Sequence, residues 1–451
     1  MSISPARAAA FEVLLRVERD KSYAADLLHS ARFASLSPSD HGLAMELVMG
    51  VLRWRSWIDD TLKEASSQKL ERLDEEVVTA LRMGIYQLSF LSRVPARAAI
   101  YESVELVKRA RKSSAASFVN AVLRRVAGKS SQSGEERERD PLEEIEECSD
   151  PKALARSSAH PKWLVQRWVE RFGLEIARRI CEYDQTPPAT SLRISSDSCL
   201  EELEREGVKL CSGVLLAGAR TVLSGDVTRT SAFREGRVAI QDEGSQLVAL
   251  LVGHGRRILD CCAAPGGKTA LLARRNTDAL IVACELHAHR ARTLRERARL
   301  ANVRVVVGDA RQIPLRGGFD RILVDVPCSG TGTLARNPEI KWNLSSEDLL
   351  DLQARQVAIL RSALSHLASG GRLVYSTCSM EREENEAVVE TALDESSEFS
   401  LGDCRDEVEH LRETGEVLAE VGQKIFDGPY LRTIPGVHCC EGFFAAIIRK
   451  L

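Results

Sequence analysis

No apolar run in this 451-residue chain approaches the roughly 18–20 residues that cross a bilayer. The first twenty residues lack the apolar core of a secretory signal, because Arg16, Glu18 and Arg19 interrupt them. Membrane insertion and export are therefore not expected, and a cytoplasmic protein is. No Cys-x-x-Cys occurs among twelve scattered cysteines, which argues against a zinc site and a disulfide framework. Taken singly, those thiols read as small buried side chains. Gly-x-Gly-x-x-Gly is also missing, which removes the dinucleotide fingerprint. A phosphate-binding Gly-x-x-x-x-Gly-Lys-Ser/Thr loop fails by one residue: counting back from Gly267, its first glycine position holds Cys262. There is no internal repeat. The net charge of −3 does not advertise a nucleic-acid binder.

What is present suggests two or three domains. Residues 1–128 carry apolar residues at helical spacing, as in Phe11, Leu14, Leu15 and Val17, or Leu43, Leu47, Val48, Val51 and Leu52. Further helical segments run near 73–91, 95–111 and 115–126, so an all-α bundle is expected, with Asp40 capping the helix after Ser37-Pro38. This region holds 19 Lys/Arg against 15 Asp/Glu, clustered in Lys108-Arg109-Ala110-Arg111-Lys112 and Arg124-Arg125. Such clusters contact phosphates only where other features point to RNA. Residues 129–150 hold 3 basic against 9 acidic residues and few apolar ones, the composition of a flexible linker. Residues 151–235 begin with a helical stretch over 161–183 and continue as a small α+β segment.

From 236 to 451 strands and helices alternate. Strands are expected at Arg256–Cys261, Ala279–Glu285, Val303–Asp309, Phe319–Pro327 and Gly371–Thr377, with helices at 268–275, 286–301 and 346–369. This order predicts a Rossmann-like α/β domain with helices on both faces of a parallel sheet, and 442–448 reads as a final strand. The first strand ends at Asp260 and runs into Cys262-Ala263-Ala264-Pro265-Gly266-Gly267-Lys268 before a helix. A ligand binds such a turn at the carboxyl edge of the sheet, where glycines permit close backbone approach. Glu285 ends the second strand, where a carboxylate can accept from ribose hydroxyls, and Asp309 ends the third, suited to an adenine amino group. S-adenosylmethionine fits this set better than NAD.

Two thiols stand apart from the rest. Cys328 closes Asp325-Val326-Pro327-Cys328, and Cys378 sits in Ser376-Thr377-Cys378-Ser379, fifty residues later. Both follow strands of the same sheet. Carbon 5 of cytosine is too weak a nucleophile to take a methyl group directly, but a thiolate added at carbon 6 turns the ring into an enamine. A second thiol could remove the carbon-5 proton, and Asp325 could act on ring N3. The residues alone leave the two thiols interchangeable.

The blocks Asp325-x-Pro-Cys328-Ser-Gly-Thr-Gly, Ser376-Thr-Cys378-Ser and Cys262-Ala-Ala-Pro-Gly-Gly-Lys268 resemble those of S-adenosylmethionine-dependent RNA (cytosine-5) methyltransferases of the Sun/NSUN type. Asn337-Pro338-Glu339-Ile340-Lys341-Trp342 and Gln241-Asp242-Glu243-Gly244-Ser245-Gln246 match as well. The N-terminal region is similar to the NusB-type RNA-binding domain through Arg82–Leu88 and Phe118–Arg124. The combination resembles the bacterial 16S rRNA methyltransferases of this type. The resemblance implies Cys378 as nucleophile, Cys328 in release and Asp325 as the acid. It further implies a 16S rRNA substrate free of most ribosomal proteins, and a monomer without metal is expected. A tRNA substrate or a non-catalytic RNA-binding role is the alternative. An amide-nitrogen methyltransferase would want Asn-Pro-Pro-Tyr where Asp325–Cys328 stands. Val326 and Glu441 depart from the common alanine and aspartate.

Overall fold

The computed structural model describes residues 3–132, 141–194, 196, 198–394, 397–418 and 425–451. The chain divides into two compact units, Met1–Pro187 with Leu334–Asn343, and Pro188–Thr333 with Leu344–Leu451. The segment read as one block over 151–235 thus divides at Pro187. The decapeptide after the first thiol loop belongs to the helical unit.

In the first unit the apolar stripes form helices Pro5–Asp20, Pro38–Arg53, Arg55–Ala65, Glu75–Phe90, Ala96–Arg109 and Ala116–Gln132. Their shared core includes the fully buried Leu47, Leu52, Ile58, Leu62, Leu81, Met83 and Ile85. Ser37, not Asp40, is the N-cap: its Oγ accepts from the Asp40 amide at 3.1 Å, while its hydroxyl donates to Asp40 Oδ2 at 2.7 Å. The serine precedes the first turn, so only its oxygen can reach an unpaired amide there. Arg82 is buried and structural, with its guanidinium on Asp59 (2.7 and 2.9 Å) and Glu18 (3.0 Å). Within the basic clusters, Lys108 pairs with Glu105 and Lys112 with Asp74.

The expected linker is partly helical. Residues 133–140 lie outside the described residues, but Ala116–Gln132 reaches into it and Pro141–Glu146 forms a further helix. Ile145 and Cys148 are buried, and Arg178 Nη2 donates to the Cys148 carbonyl at 2.9 Å, so two apolar residues among many acids anchor the segment. The helical stretch expected over 161–183 is two helices, Lys162–Phe172 and Leu174–Gln185, broken at Gly173 with φ +83°.

The second unit begins with a small antiparallel sheet. It is made of β1 (Ser191–Ile194), β2 (Lys209–Ser212), β3 (Ala219–Ser224) and β4 (Val238–Ile240), in the order β2-β3-β1-β4. The larger sheet has nine strands among the described residues. These are β5 (Arg257–Asp260), β6 (Leu280–Glu285), β7 (Val303–Val307), β8 (Phe319–Asp325), β9 (Leu367–Thr377), β10 (Phe399–Gly402), β11 (Phe426–Asp427), β12 (Tyr430–Arg432) and β13 (Phe444–Lys450). They run β11-β12-β13-β9-β8-β5-β6-β7, with β10 on β13. Strands β5 to β9 are mutually parallel, whereas β13 pairs antiparallel with β9, so the sheet is mixed.

Helices Gly267–Arg275, Ala288–Arg297 and Asp348–Leu364 connect the parallel strands. The last stops short of the expected 369, because β9 already begins at Leu367 opposite Phe319 and bends where Gly370 takes φ +71°. Apolar strand stretches such as Ile322–Val324 are buried because helices cover the sheet. Among the described residues, no helix is long and apolar enough to cross a membrane.

Candidate active site

Parallel pairing sets the thiols side by side. Asp325 of β8 lies in register with Ser376 of β9, and each strand then turns at its carboxyl end. The turns bring Cys328 Sγ to 3.4 Å from Cys378 Sγ. The Gly332 amide donates to the Cys378 carbonyl at 2.9 Å, which ties the first loop to the second.

Asp325 is held at both oxygens. Ser376 Oγ donates to Oδ1 at 2.8 Å, and Lys268 Nζ lies 2.8 Å from Oδ2. Lys268 also lies 5.2 Å over the Phe443 ring. Burial pulls the lysine pKa down, but Asp325 outweighs that and holds it above its ordinary value. The Cys328 thiol is pushed well up, first by its hydrogen bond to Cys378 and then by burial.

The cofactor loop follows β5. Gly266 takes φ +109°, and the next residue starts the helix Gly267–Arg275. Cys262, Ala263, Ala264 and Pro265 form the turn, where the Ala263 amide donates to the Cys284 carbonyl of β6 at 2.9 Å. Asp260 is buried; its Oδ2 accepts from Thr269 Oγ1 at 2.7 Å, and its Oδ1 has no hydrogen-bond partner among the described residues. Burial raises its pKa to about 7, partly countered by the Thr269 hydroxyl. Glu285 is buried at the end of β6 and accepts from the His287 amide at 2.9 Å. Asp309 stands just beyond β7, where it caps the turn Ala310–Gln312 and pairs with the Arg311 guanidinium, which lowers its pKa. Three carboxylates thus stand at three successive strand ends.

The quoted Asn337–Trp342 block is held within the helical unit instead. Lys341 Nζ donates to the carbonyls of Arg53 (2.8 Å) and Ala159 (3.1 Å), Trp342 Nε1 donates to Leu52, and Glu339 accepts from the Ala24 amide. Burial lowers the Lys341 pKa to about 7. At Glu441, the amide donates to Asp242 and the carbonyl accepts from Thr433, contacts that any residue's backbone supplies. Sequence reasoning missed Glu384 and Gln356, both fully buried behind the thiol loops. A usable signal was present, since each thiol is followed by a serine, and both serines turn to the same acid.

A family model described as 16S rRNA methyltransferase RsmB/F matches residues 247–449, a NusB family model matches 4–128, and an RsmF/B-like ferredoxin-like domain matches 160–221. The probable ribosomal RNA small subunit methyltransferase B of Bacillus subtilis is 32% identical over 100% of both chains. The chain belongs to the RsmB/F family of 16S rRNA methyltransferases. The Vibrio cholerae ribosomal RNA small subunit methyltransferase B is 30% identical, covering 98% of this chain and 97% of its own. Among solved structures, PH0851 shares the fold with a TM-score of 0.79 at 22% identity, across 100% of each chain. A methyltransferase homologue from Pyrococcus horikoshii is 29% identical, with a TM-score of 0.54 over 66% of this chain and 97% of its own.

RsmB/F membership makes this an rRNA methyltransferase that uses S-adenosylmethionine. The residues present fit that donor. A glycine-opened turn leads into a helix, the buried Asp260 Oδ1 is unpartnered among the described residues, and Glu285 and Asp309 flank the same edge. Among the described residues, no group of acids, histidines and cysteines is suited to a metal ion.

Proposed function

We propose that this chain methylates carbon 5 of a cytidine in 16S rRNA through a covalent bond between Cys378 and carbon 6. The 3.4 Å thiol pair beside a doubly held Asp325 carries this reading. Cys262 to Lys268, Glu285, Asp309 and Asp325 would hold S-adenosylmethionine, which supplies an electrophilic methyl group when bound.

Cys378 attacks as the thiolate after giving its proton to solvent, while the hydrogen bond between the two sulfurs and burial keep Cys328 a thiol. As the new S–C6 bond forms, ring electrons move toward carbon 5, and Asp325 with Lys268 steadies N3, a contribution on the order of 10²–10⁴. Carbon 5 then takes the methyl group. With Cys378 now a thioether, Cys328 gives its own proton to solvent and, as the thiolate, accepts the carbon-5 proton. The C6–S bond breaks, the electrons of the C5–H bond restore the ring double bond, and Cys378 leaves as thiolate.

The target base must be unstacked, so an rRNA free of most ribosomal proteins is the preferred substrate. The protein acts as a cytoplasmic monomer without metal, and the helical unit contributes phosphate contacts. Labelled methyl transfer to naked 16S rRNA, followed by nucleoside analysis, tests the reading. Label in 5-methylcytidine at one position is expected. Label in another nucleoside, or a preference for tRNA, overturns it.

A further inference from the structure

Each thiol is followed by serine, and both serine side chains converge on one acid that takes no part in the chemistry above. Glu384 ends the short turn Arg382–Glu384 beyond β9, and its residue is 0% exposed. Its Oε1 accepts from the Ser329 amide at 2.8 Å and from Gln356 Nε2 at 2.9 Å. Its Oε2 accepts from the hydroxyls of Ser329 and Ser379, the latter at 2.5 Å, and the two hydroxyl oxygens are 3.0 Å apart.

The flanking residues are fixed from the same side. Gln356 Nε2 also donates to the Pro327 carbonyl at 3.0 Å, so Cys328 is bracketed by two anchored neighbours. Cys378 is bracketed likewise, with Thr377 Oγ1 on Asn385 Oδ1 at 2.5 Å and Asn385 Nδ2 on the Ser379 carbonyl at 2.8 Å. Tyr375 anchors the clamp itself by donating to the Glu384 carbonyl at 2.6 Å. Four donors on one buried acid cannot be replaced by water, so their geometry is transmitted to the loops.

We propose that Glu384 is the positioning residue that sets the separation of the two thiols. It reaches no substrate atom, because its side chain is sealed behind Ser329 and Ser379. This rests on the reading that Cys378 and Cys328 carry the reaction, but the separation can be read without any reaction.

The test uses dibromobimane, which fluoresces when it bridges two neighbouring thiols, on the full chain, with Cys328→Ala as the background. Glu384→Gln is expected to bind S-adenosylmethionine and RNA as the parent does. Its Cys328-dependent bridging rate and its single-turnover methyl transfer should both fall on the order of tenfold or more, the worth of one charge-assisted hydrogen bond. If that variant fails to fold, Ser329→Ala combined with Ser379→Ala removes two donors and leaves the acid in place, and the same joint loss is expected. Parental bridging and transfer in a folded variant of either kind overturns the proposal. Bridging that depends on Glu384, in a parent that makes no 5-methylcytidine, would overturn the cytosine reading and leave the clamp standing.

Discussion

Lys268 Nζ lies 2.8 Å from Asp325 Oδ2, and this contact joins the cofactor loop after β5 to the end of β8. One residue thus belongs to both halves of the site: its backbone opens the helix at the donor loop, and its charge meets the acid that would face the base. Lys268→Met should lower methyl transfer on the order of 10²–10³, the usual worth of a preorganised charge at a reacting centre. RNA affinity should be unchanged. Single-turnover rates set against filter-binding affinities separate the two, and equal losses in both would contradict a local role.

Cys328 is the thiol to remove if release is to be seen. Cys328→Ala should add to the base, accept methyl and then stall. A denaturant-resistant protein–RNA band should accumulate on gels when S-adenosylmethionine is supplied. Clean turnover with no such band would contradict the releasing role.

Asp260 gives the site a pH dependence of defined sign. Its pKa is raised to about 7 by burial, with Thr269, Asp325, Lys268 and the Cys262 amide also acting on it. An ammonium-bearing ligand prefers the ionised carboxylate, so below that pKa each unit of pH must cost about tenfold in affinity. Calorimetry should show S-adenosylmethionine binding that tightens as pH rises toward 7 and then levels. Asp260→Asn should bind weakly and without that slope. Stability moves the opposite way. Between the ordinary carboxylate range and about 7 the unfolded chain has lost a proton that the folded chain keeps, so this group's contribution falls as pH rises.

Gly332 packs against the backbone of Gly442, and a Cβ there would overlap it. The same glycine donates to the Cys378 carbonyl at 2.9 Å and accepts from the Gly442 amide at 2.8 Å. Gly332→Ala should therefore cost about 1–3 kcal/mol of stability, as overpacking does. It should also slow methyl transfer beyond the loss of folded protein, since the first thiol loop must shift. Urea unfolding checks the first effect, and activity per folded molecule checks the second.

Much of the methyltransferase unit was legible because its strands are buried and apolar, and its chemistry stands at strand ends where turn residues mark the boundary. The strand-end positions of Asp260, Glu285 and Asp325 were read in that way. The two-serine clamp was not, because Glu384 lies in Glu381-Arg382-Glu383-Glu384-Asn385-Glu386, a run whose charge reads as a solvated face. Only the fold shows that Glu384 points inward while Arg382 is exposed. The Asn337–Trp342 block was legible only as a motif. It carries the resemblance, but its motif does not say where it sits, and Lys341, Trp342 and Glu339 satisfy backbone groups of the helical unit. In the linker, composition was dominated by acids and hid the two residues, Ile145 and Cys148, that anchor it.

Attack on carbon 6 by Cys378 is the central claim, and RNA carrying 5-fluorocytidine tests it most directly. Fluorine at carbon 5 cannot leave as a proton, so the covalent intermediate persists after methyl transfer. Parent protein given S-adenosylmethionine and such a 16S rRNA should form a denaturant-stable complex, with peptide mapping placing the RNA on Cys378, and Cys378→Ala should form none. A complex attached through Cys328, or its formation by Cys378→Ala, would contradict the account.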